Sequence, residues 1–140
     1  MLALLVFGLV GTIVELTLLE HYEEAWQFVP LGLIALALGV VAWHVLRPHA
    51  GNVRALQGVM CLFLLAGTVG VGLHLYGAAE FQIEIDPSQS RWEVFKKAMH
   101  AQAPPVLAPG VMMQLGLIGL IYSYRHPSLG GAGTASNCKE

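Results

Sequence analysis

The hydrophobic pattern of the chain is dominated by four long apolar runs separated by shorter polar segments. The runs contain 19 to 23 residues each and cover 1–19, 28–46, 55–77 and 106–124. A bilayer core about 30 Å thick is crossed by about 20 helical residues, and a helix satisfies its own backbone hydrogen bonds in lipid. The pattern therefore predicts an all-α integral membrane protein with four transmembrane helices.

The segment 78–105, between the third and fourth runs, is long enough to carry structure of its own. Apolar and polar residues alternate over 81–86, which predicts an extended strand. Over 90–101 the apolar residues recur with helical spacing instead. We therefore expect a short amphipathic helix there, lying at the membrane interface or against the other helices. The residues on its apolar face are Trp92, Phe95 and Met99.

Short motifs recur in the two halves of the chain and predict two helical hairpins that arose by duplication. Residues 8–11 resemble 67–70, and residues 31–34 resemble 115–118. The hairpins would be related by a pseudo-twofold axis along the membrane normal, as in other membrane proteins with parallel repeats. Both hairpins belong to one predicted transmembrane domain, 1–127, which is followed by a Gly/Ser-rich cytoplasmic tail, 128–140. The glycines of the third and fourth runs predict close helix contacts, either within the monomer or against another subunit.

The distribution of arginines predicts the orientation in the membrane. Arg47 and Arg54 lie in the loop between the second and third runs, and Arg125 follows the fourth run. The positive-inside rule places such residues in the cytoplasm. We therefore expect a multi-pass protein of the bacterial inner membrane with both termini in the cytoplasm.

Most carboxylates then fall on the outer side, where they are either simply solvated or form a docking surface. Such a surface would attract a basic soluble protein by long-range charge. The candidate docking residues are Glu20, Glu23, Glu24, Glu84 and Asp86. The chain has 56% hydrophobic and 11% charged residues, and it lacks a basic patch of the kind that binds nucleic acid. The expected partners are therefore larger membrane subunits, lipids and a basic soluble protein, and no nucleic acid.

Glu15 is the most conspicuous polar residue, because it lies inside an apolar run. A carboxylate in lipid must be neutral, paired or directed into a cavity. The repeat aligns Glu15 with His74, so we expect an intramembrane Glu15–His74 pair. A metal site for iron, manganese or zinc would add further ligands to this pair. The candidate metal ligands are Glu15, His21, His74 and Glu80.

Histidines in membrane helices also ligate haem or chlorophyll, and the candidate axial ligands here are His44 and His74. These two lie near opposite ends of their predicted helices and cannot share one haem. A hydrogen bond to a neighbouring helix is the simpler role for either ring. The cofactor is therefore left open between none, a metal ion, haem and chlorophyll. Cys61 is predicted to be a small core residue, and Gln114 to form a hydrogen bond between helices.

Two stretches of the chain resemble small bacterial four-span membrane proteins that have no assigned activity. The first is 15–27 followed by Pro30, and the second runs from Leu107-Ala108-Pro109-Gly110 to the segment 122–127. The resemblance covers about a quarter of the chain. It implies a bacterial four-span protein and transfers no activity.

Three functional hypotheses follow, and none requires the chain to be an enzyme. The first is a non-catalytic accessory subunit of a larger bacterial bioenergetic complex, such as a photosynthetic or respiratory electron-transfer assembly. The alternative is a stand-alone metal- or haem-binding membrane protein centred on Glu15 and His74. A small transporter built from two hairpin repeats is the third, and the scarcity of polar residues inside the apolar runs makes it the weakest.

Overall fold

The computed structural model describes residues 1–20, 25–100 and 107–130, which are almost entirely helical and contain no strand. Six helices occur in these ranges. Their bounds are α1 Leu2–Leu18, α2 Phe28–Leu46, α3 Ala50–Ile85, α4 Arg91–Met99, α5 Leu107–Ser123 and α6 Pro127–Gly130. A 3-10 turn, Ala25–Gln27, leads into α2. The prediction of an all-helical fold is confirmed for the described residues.

The long helices α1, α2, α3 and α5 form a ring around one apolar core. Helix α1 contacts α2 and α5, and α3 contacts the same two helices. Buried side chains come from every member of the ring, including Leu5, Ile34, Phe63 and Leu115. This ring order is the one that two hairpins related by a twofold axis would adopt, although the duplication itself stays a prediction.

Two helices are long and apolar enough to cross a membrane by length and composition. They are α3 and the segment Ala25–Leu46, which contains α2. Helices α1 and α5 are equally apolar in character but have 17 residues each. By this criterion the described residues contain two candidate spans, and the four-span arrangement stays a prediction.

Helix α3 is the element that differs most from the sequence prediction. The predicted strand over 81–86 is wrong, because α3 continues without interruption to Ile85. Alternation favours a strand only where a neighbouring strand can accept its backbone hydrogen bonds, and a continuing helix satisfies the same groups internally. With 36 residues at about 1.5 Å each, α3 is about 54 Å long. It therefore exceeds the roughly 30 Å core of a bilayer.

Helix α4 occupies the predicted amphipathic segment and folds back against α3. Its buried residues are Val94 and Ala98, whereas Trp92 and Phe95 remain exposed. The face that packs on the protein is therefore adjacent to the aromatic face identified from the sequence. The aromatic face itself remains exposed to the surroundings of the protein.

The tightest packing lies between α3 and α5, whose interface is the most extensive in the bundle. A Cβ atom added to Gly67 would lie 2.7 Å from the carbonyl oxygen of Pro109, and one added to Gly116 would lie 2.9 Å from that of Met60. The glycine prediction holds at these positions. At Gly58, Gly72 and Gly110 a Cβ would meet nothing within 4 Å, so close contact of these glycines with another subunit stays a prediction.

Two other sequence expectations need correction, and the phase of a helix explains both. Cys61 is exposed, because its neighbours Met60 and Phe63 occupy the buried face of α3. Gln114 is also exposed, next to the buried Leu115. In an apolar run every position has similar hydropathy, so the sequence does not reveal which face points inward. The predicted tail, 128–140, begins within α6 and otherwise lies outside the described residues.

Candidate functional sites at the two ends of the bundle

A cluster of polar side chains closes the end of the bundle that carries Arg47, Arg54 and Arg125, which we call the arginine end. His44 of α2 is 4% exposed, and its Nε2 lies 3.0 Å from the hydroxyl oxygen of Tyr122 on α5. The same hydroxyl lies 3.4 Å from Nε2 of His126. The two imidazole rings meet edge to face, with their centroids 5.0 Å apart. Three groups that are remote in sequence thus form one hydrogen-bonded unit.

The directions of these hydrogen bonds depend on the tautomers of the two histidines, and the contact between Ser128 and His126 favours one arrangement. The backbone N–H of Ser128 donates to Nδ1 of His126, at 3.3 Å. A neutral His126 therefore carries its proton on Nε2 and donates it to Tyr122. The Tyr122 hydroxyl then donates to Nε2 of His44, so the His44 proton resides on Nδ1. That Nδ1 is buried and has no hydrogen-bond partner among the described residues.

Side chains from α3 complete the arginine end by satisfying carbonyl groups at the ends of the other helices. Asn52 is fully buried, and its Nδ2 donates to the carbonyl oxygens of Arg47, at 2.6 Å, and Trp43, at 3.3 Å. Gln57 donates to the carbonyl oxygen of Ser123 at 3.2 Å. The last carbonyls of a helix have no partner within it. These bonds therefore join the ends of α2 and α5 to the beginning of α3.

The opposite end of the bundle carries most of the residues singled out in the sequence, and we call it the acidic end. Glu15 on α1 and His74 on α3 are both exposed there. Glu80 is exposed and accepts a hydrogen bond from the Tyr76 hydroxyl at 2.7 Å. The Glu15–His74 pair stays a prediction.

The metal and docking predictions at the acidic end fall partly outside the described residues, because His21, Glu23 and Glu24 belong to the segment 21–24. Within the described ranges no three His, Cys, Asp or Glu side chains come together as metal ligands. Among the candidate docking residues, Glu20 and Glu84 are exposed. Their role in docking stays a prediction.

The turn between α3 and α4 is built from hydrogen bonds to two carboxylates. Asp86 accepts from the Ser88 hydroxyl at 2.6 Å and from the Ser88 backbone N–H at 3.0 Å, and these bonds hold the pKa of Asp86 below its usual value. Glu93 and Ser90 form a capping box at the start of α4. The bonds from the Ser90 backbone and hydroxyl lower the pKa of Glu93 as well. Both carboxylates therefore remain ionised and fix the turn.

A groove of about 530 Å³ separates α4 from the outer part of α3. Its volume falls within the roughly 300–1,000 Å³ of typical ligand sites. Most of its wall is apolar, with Leu75 and Ala79 on one side and Val94 and Phe95 on the other. Arg91 is one of its few polar residues. This groove, which we call the α3–α4 groove, is a concave surface that the sequence did not reveal.

The arginine end bears on the pigment prediction. Because His44 Nε2 is engaged with Tyr122, axial ligation through that nitrogen would require this bond to break. Ligation by His44 or His74 stays a prediction. Tyr122 and His126 were not singled out as functional residues. Their spacing of four residues, which places two side chains on one helical face, was the only available signal.

Comparison of the chain with models of protein families, with curated proteins and with solved structures gave no match. The fold and the two ends of the bundle are therefore interpreted from their own geometry.

Proposed function

We propose that the chain is a four-span protein of the bacterial inner membrane that serves as a non-catalytic accessory subunit of a larger bioenergetic complex. The supporting observation is an apolar belt that all four long helices expose. Phe7, Val45, Leu65 and Ile121 each leave more than half of their surface uncovered. Exposed apolar area of this extent marks contact with lipid or with other proteins.

Helix lengths are compatible with four spans. At about 1.5 Å per residue, the 17 residues of α1 or α5 cover about 26 Å, and 17 residues is the lower end of the usual range for a span. Successive long helices run in opposite directions, so the helix ends that form the arginine end all lie on the same side of the bundle. The positive-inside rule then puts that end, and both termini, in the cytoplasm.

The accessory role is supported by a difference between the inner and outer faces of the long helices. The inner face forms the shared core and the hydrogen-bonded arginine end. The outer face remains available, together with the exposed aromatic pair Trp92 and Phe95, whose rings stack with centroids 5.6 Å apart. The acidic end is the reason for proposing that the parent complex is bioenergetic, because its carboxylates would attract a basic soluble electron carrier.

Purification from native membranes in a mild detergent tests the accessory role. We expect larger membrane subunits to co-purify in fixed stoichiometry. Glu15→Gln should weaken this association more than the matched surface change Glu20→Gln. A monodisperse isolated protein that carries its own metal or haem, shown by its optical spectrum and metal content, would instead support the stand-alone binding protein.

Cysteine labelling in intact cells tests the topology. Suitable single-cysteine variants are Pro48→Cys and Glu84→Cys, both at exposed positions, in a background with Cys61 and Cys138 replaced by serine. Gly51 is a poor site, because a Cβ there would lie 2.8 Å from Cε1 of His49. An impermeant reagent should modify the cysteine at 84 and spare the one at 48. The reverse pattern would invert the proposed orientation.

A further inference from the structure

We propose that the α3–α4 groove binds an anionic phospholipid of the outer leaflet, with an acyl chain along the apolar wall and the phosphate on Arg91. This inference rests on the membrane placement proposed above. It goes beyond the accessory role, because it assigns a specific ligand class to a site on this chain.

The polarity of the groove runs in the same direction as that of an outer-leaflet lipid. The deeper part of the wall on α3 is formed by Gly72 and Leu75, which lie within the apolar part of that helix. The opposite end is formed by residues beyond or near the end of α3, including Gln89 and Arg91. Tails therefore meet apolar side chains toward the membrane centre, and the headgroup meets polar groups farther out.

The depth of the groove is consistent with this arrangement. Its wall on α3 extends from Gly72 to Ile83, which is about 16 Å at 1.5 Å per residue. The third apolar run ends at Gly77, so the outer part of the groove lies at the level of the lipid headgroups. Phe95 lines the groove, and the exposed ring of Trp92 stacks on the Phe95 ring with the centroids 5.6 Å apart. Aromatic residues favour this interfacial level.

The position of Arg91 favours an anionic headgroup in the groove, although the acidic end as a whole is rich in carboxylates. Arg91, Lys96 and Lys97 are all exposed, and the ammonium of Lys96 lies over the ring of Trp92, 6.0 Å from its centroid. The ionised carboxylates of Asp86 and Glu93 interact with the lysines, Asp86 with Lys97 and Glu93 with both Lys96 and Lys97. Arg91 is not among the charges that act on either carboxylate. A guanidinium matches the geometry of a phosphate better than an ammonium does. Arg91 also lines the groove itself, so it is the residue placed to hold the phosphate.

Quenching of Trp92 fluorescence by brominated acyl chains tests the proposal on the full-length protein. Trp26→Phe and Trp43→Phe leave Trp92 as the single tryptophan. The protein is reconstituted in mixed bilayers of phosphatidylglycerol and phosphatidylcholine, and either lipid carries the bromine at the same mole fraction. We expect brominated phosphatidylglycerol to associate about fivefold more strongly, the factor that one cation near a membrane surface provides.

Matched variants separate the two parts of the site. Arg91→Gln should remove the preference for phosphatidylglycerol, whereas Arg54→Gln at the arginine end should retain it. Gly72→Leu should fill the groove and lower quenching by both lipids. Gly58→Leu is its control, because a Cβ at either glycine would meet nothing within 4 Å and only Gly72 lines the groove.

Three outcomes would overturn the proposal. Equal quenching by the two brominated lipids would show ordinary contact with bulk lipid. Quenching that Gly72→Leu leaves unchanged would place the lipid elsewhere. Protection of Trp92 from both lipids, together with self-association, would show that a second copy covers the groove. Co-flotation with vesicles is measured on the same samples, so a failure of membrane insertion is recognised separately as a failure of the proposed placement.

Discussion

The two hairpins of the bundle share short sequence motifs but differ in how closely their helices pack. Gly116 of α5 lies against the backbone of Met60, whereas Gly32, which occupies the corresponding motif position in α2, has open space where a Cβ would point. Gly11 and Gly39 of the first hairpin are equally open. The hairpin of α3 and α5 is therefore closely packed at this motif, whereas α1 and α2 keep these three glycines on the exterior. Gly8 of α1 is the exception, because a Cβ there would meet the side chain of Leu115 on α5.

This difference shows that a repeated motif does not imply a repeated contact. Small residues let helices approach closely in lipid, but they do so only where a partner helix faces them. In the first hairpin the same residue type is exposed on the outside of the bundle. If the protein is an accessory subunit, the outward glycines of α1 and α2 are the natural place for another helix to approach.

The largest expected effect is the contrast between two variants, each of which adds one methyl group to one of the hairpins. Gly116→Ala should destabilise the bundle by about 1–3 kcal/mol, the usual cost of overpacking, because the methyl would press on the Met60 carbonyl. Gly32→Ala should be neutral or slightly stabilising, since alanine favours a helix over glycine. Thermal unfolding in detergent measures both. Equal destabilisation by the two changes would remove the contrast between the hairpins.

A smaller effect is expected at the arginine end, where the two hairpins are joined. Tyr122→Phe removes the hydroxyl that connects His44 with His126. It should lower the free energy of unfolding by about 1–2 kcal/mol, because a buried nitrogen loses its partner. Tyr124 is 73% exposed, so Tyr124→Phe is the matched control and should change little. An unchanged unfolding midpoint for Tyr122→Phe would mean that water replaces the hydroxyl.

Helix α4 belongs to the second hairpin alone, since it packs on α3, and its cap is testable separately. Ser90→Ala removes the side chain that accepts from the Glu93 backbone N–H. The cost should be about 1 kcal/mol and should be confined to α4. Hydrogen exchange over 91–99 should accelerate while the exchange of α5 stays constant. Faster exchange throughout the second hairpin would show that α4 supports the bundle as a whole.

The smallest expected effect is a pH dependence of the same helix. The pKa of Glu93 is lowered in the folded protein by its bonds from Ser90. A carboxyl group with a lowered pKa stabilises the fold above its unfolded pKa, and this contribution disappears as the pH falls through the folded value. Protection of the amides over 91–99, measured relative to their intrinsic exchange rates at each pH, should therefore decrease in acid. Glu93→Gln keeps a capping side chain and should flatten this profile; an unchanged profile would assign the pH dependence to another group.

The sequence by itself determined the helical class and the approximate positions of the long helices. Uninterrupted apolar runs leave the backbone few ways to satisfy its hydrogen bonds other than within a helix, so α1, α2 and α5 match their predicted segments closely. The capping box at Ser90 and Glu93 is equally local, and α4 begins at the next residue. These features depend on neighbours within a few positions along the chain.

The tertiary structure alone decided which side of each helix faces inward and which remote residues meet. A uniformly apolar run has no distinct polar face, so hydropathy did not separate the buried Gly116 from the open Gly32, or reveal that Cys61 is exposed. The strand predicted over 81–86 was wrong because alternation is a local pattern, whereas strand formation requires a partner. The bond between His44 and Tyr122 joins residues 78 positions apart, and the α3–α4 groove arises where α4 folds back on α3. Both depend on the packing of whole helices, which the local sequence does not encode.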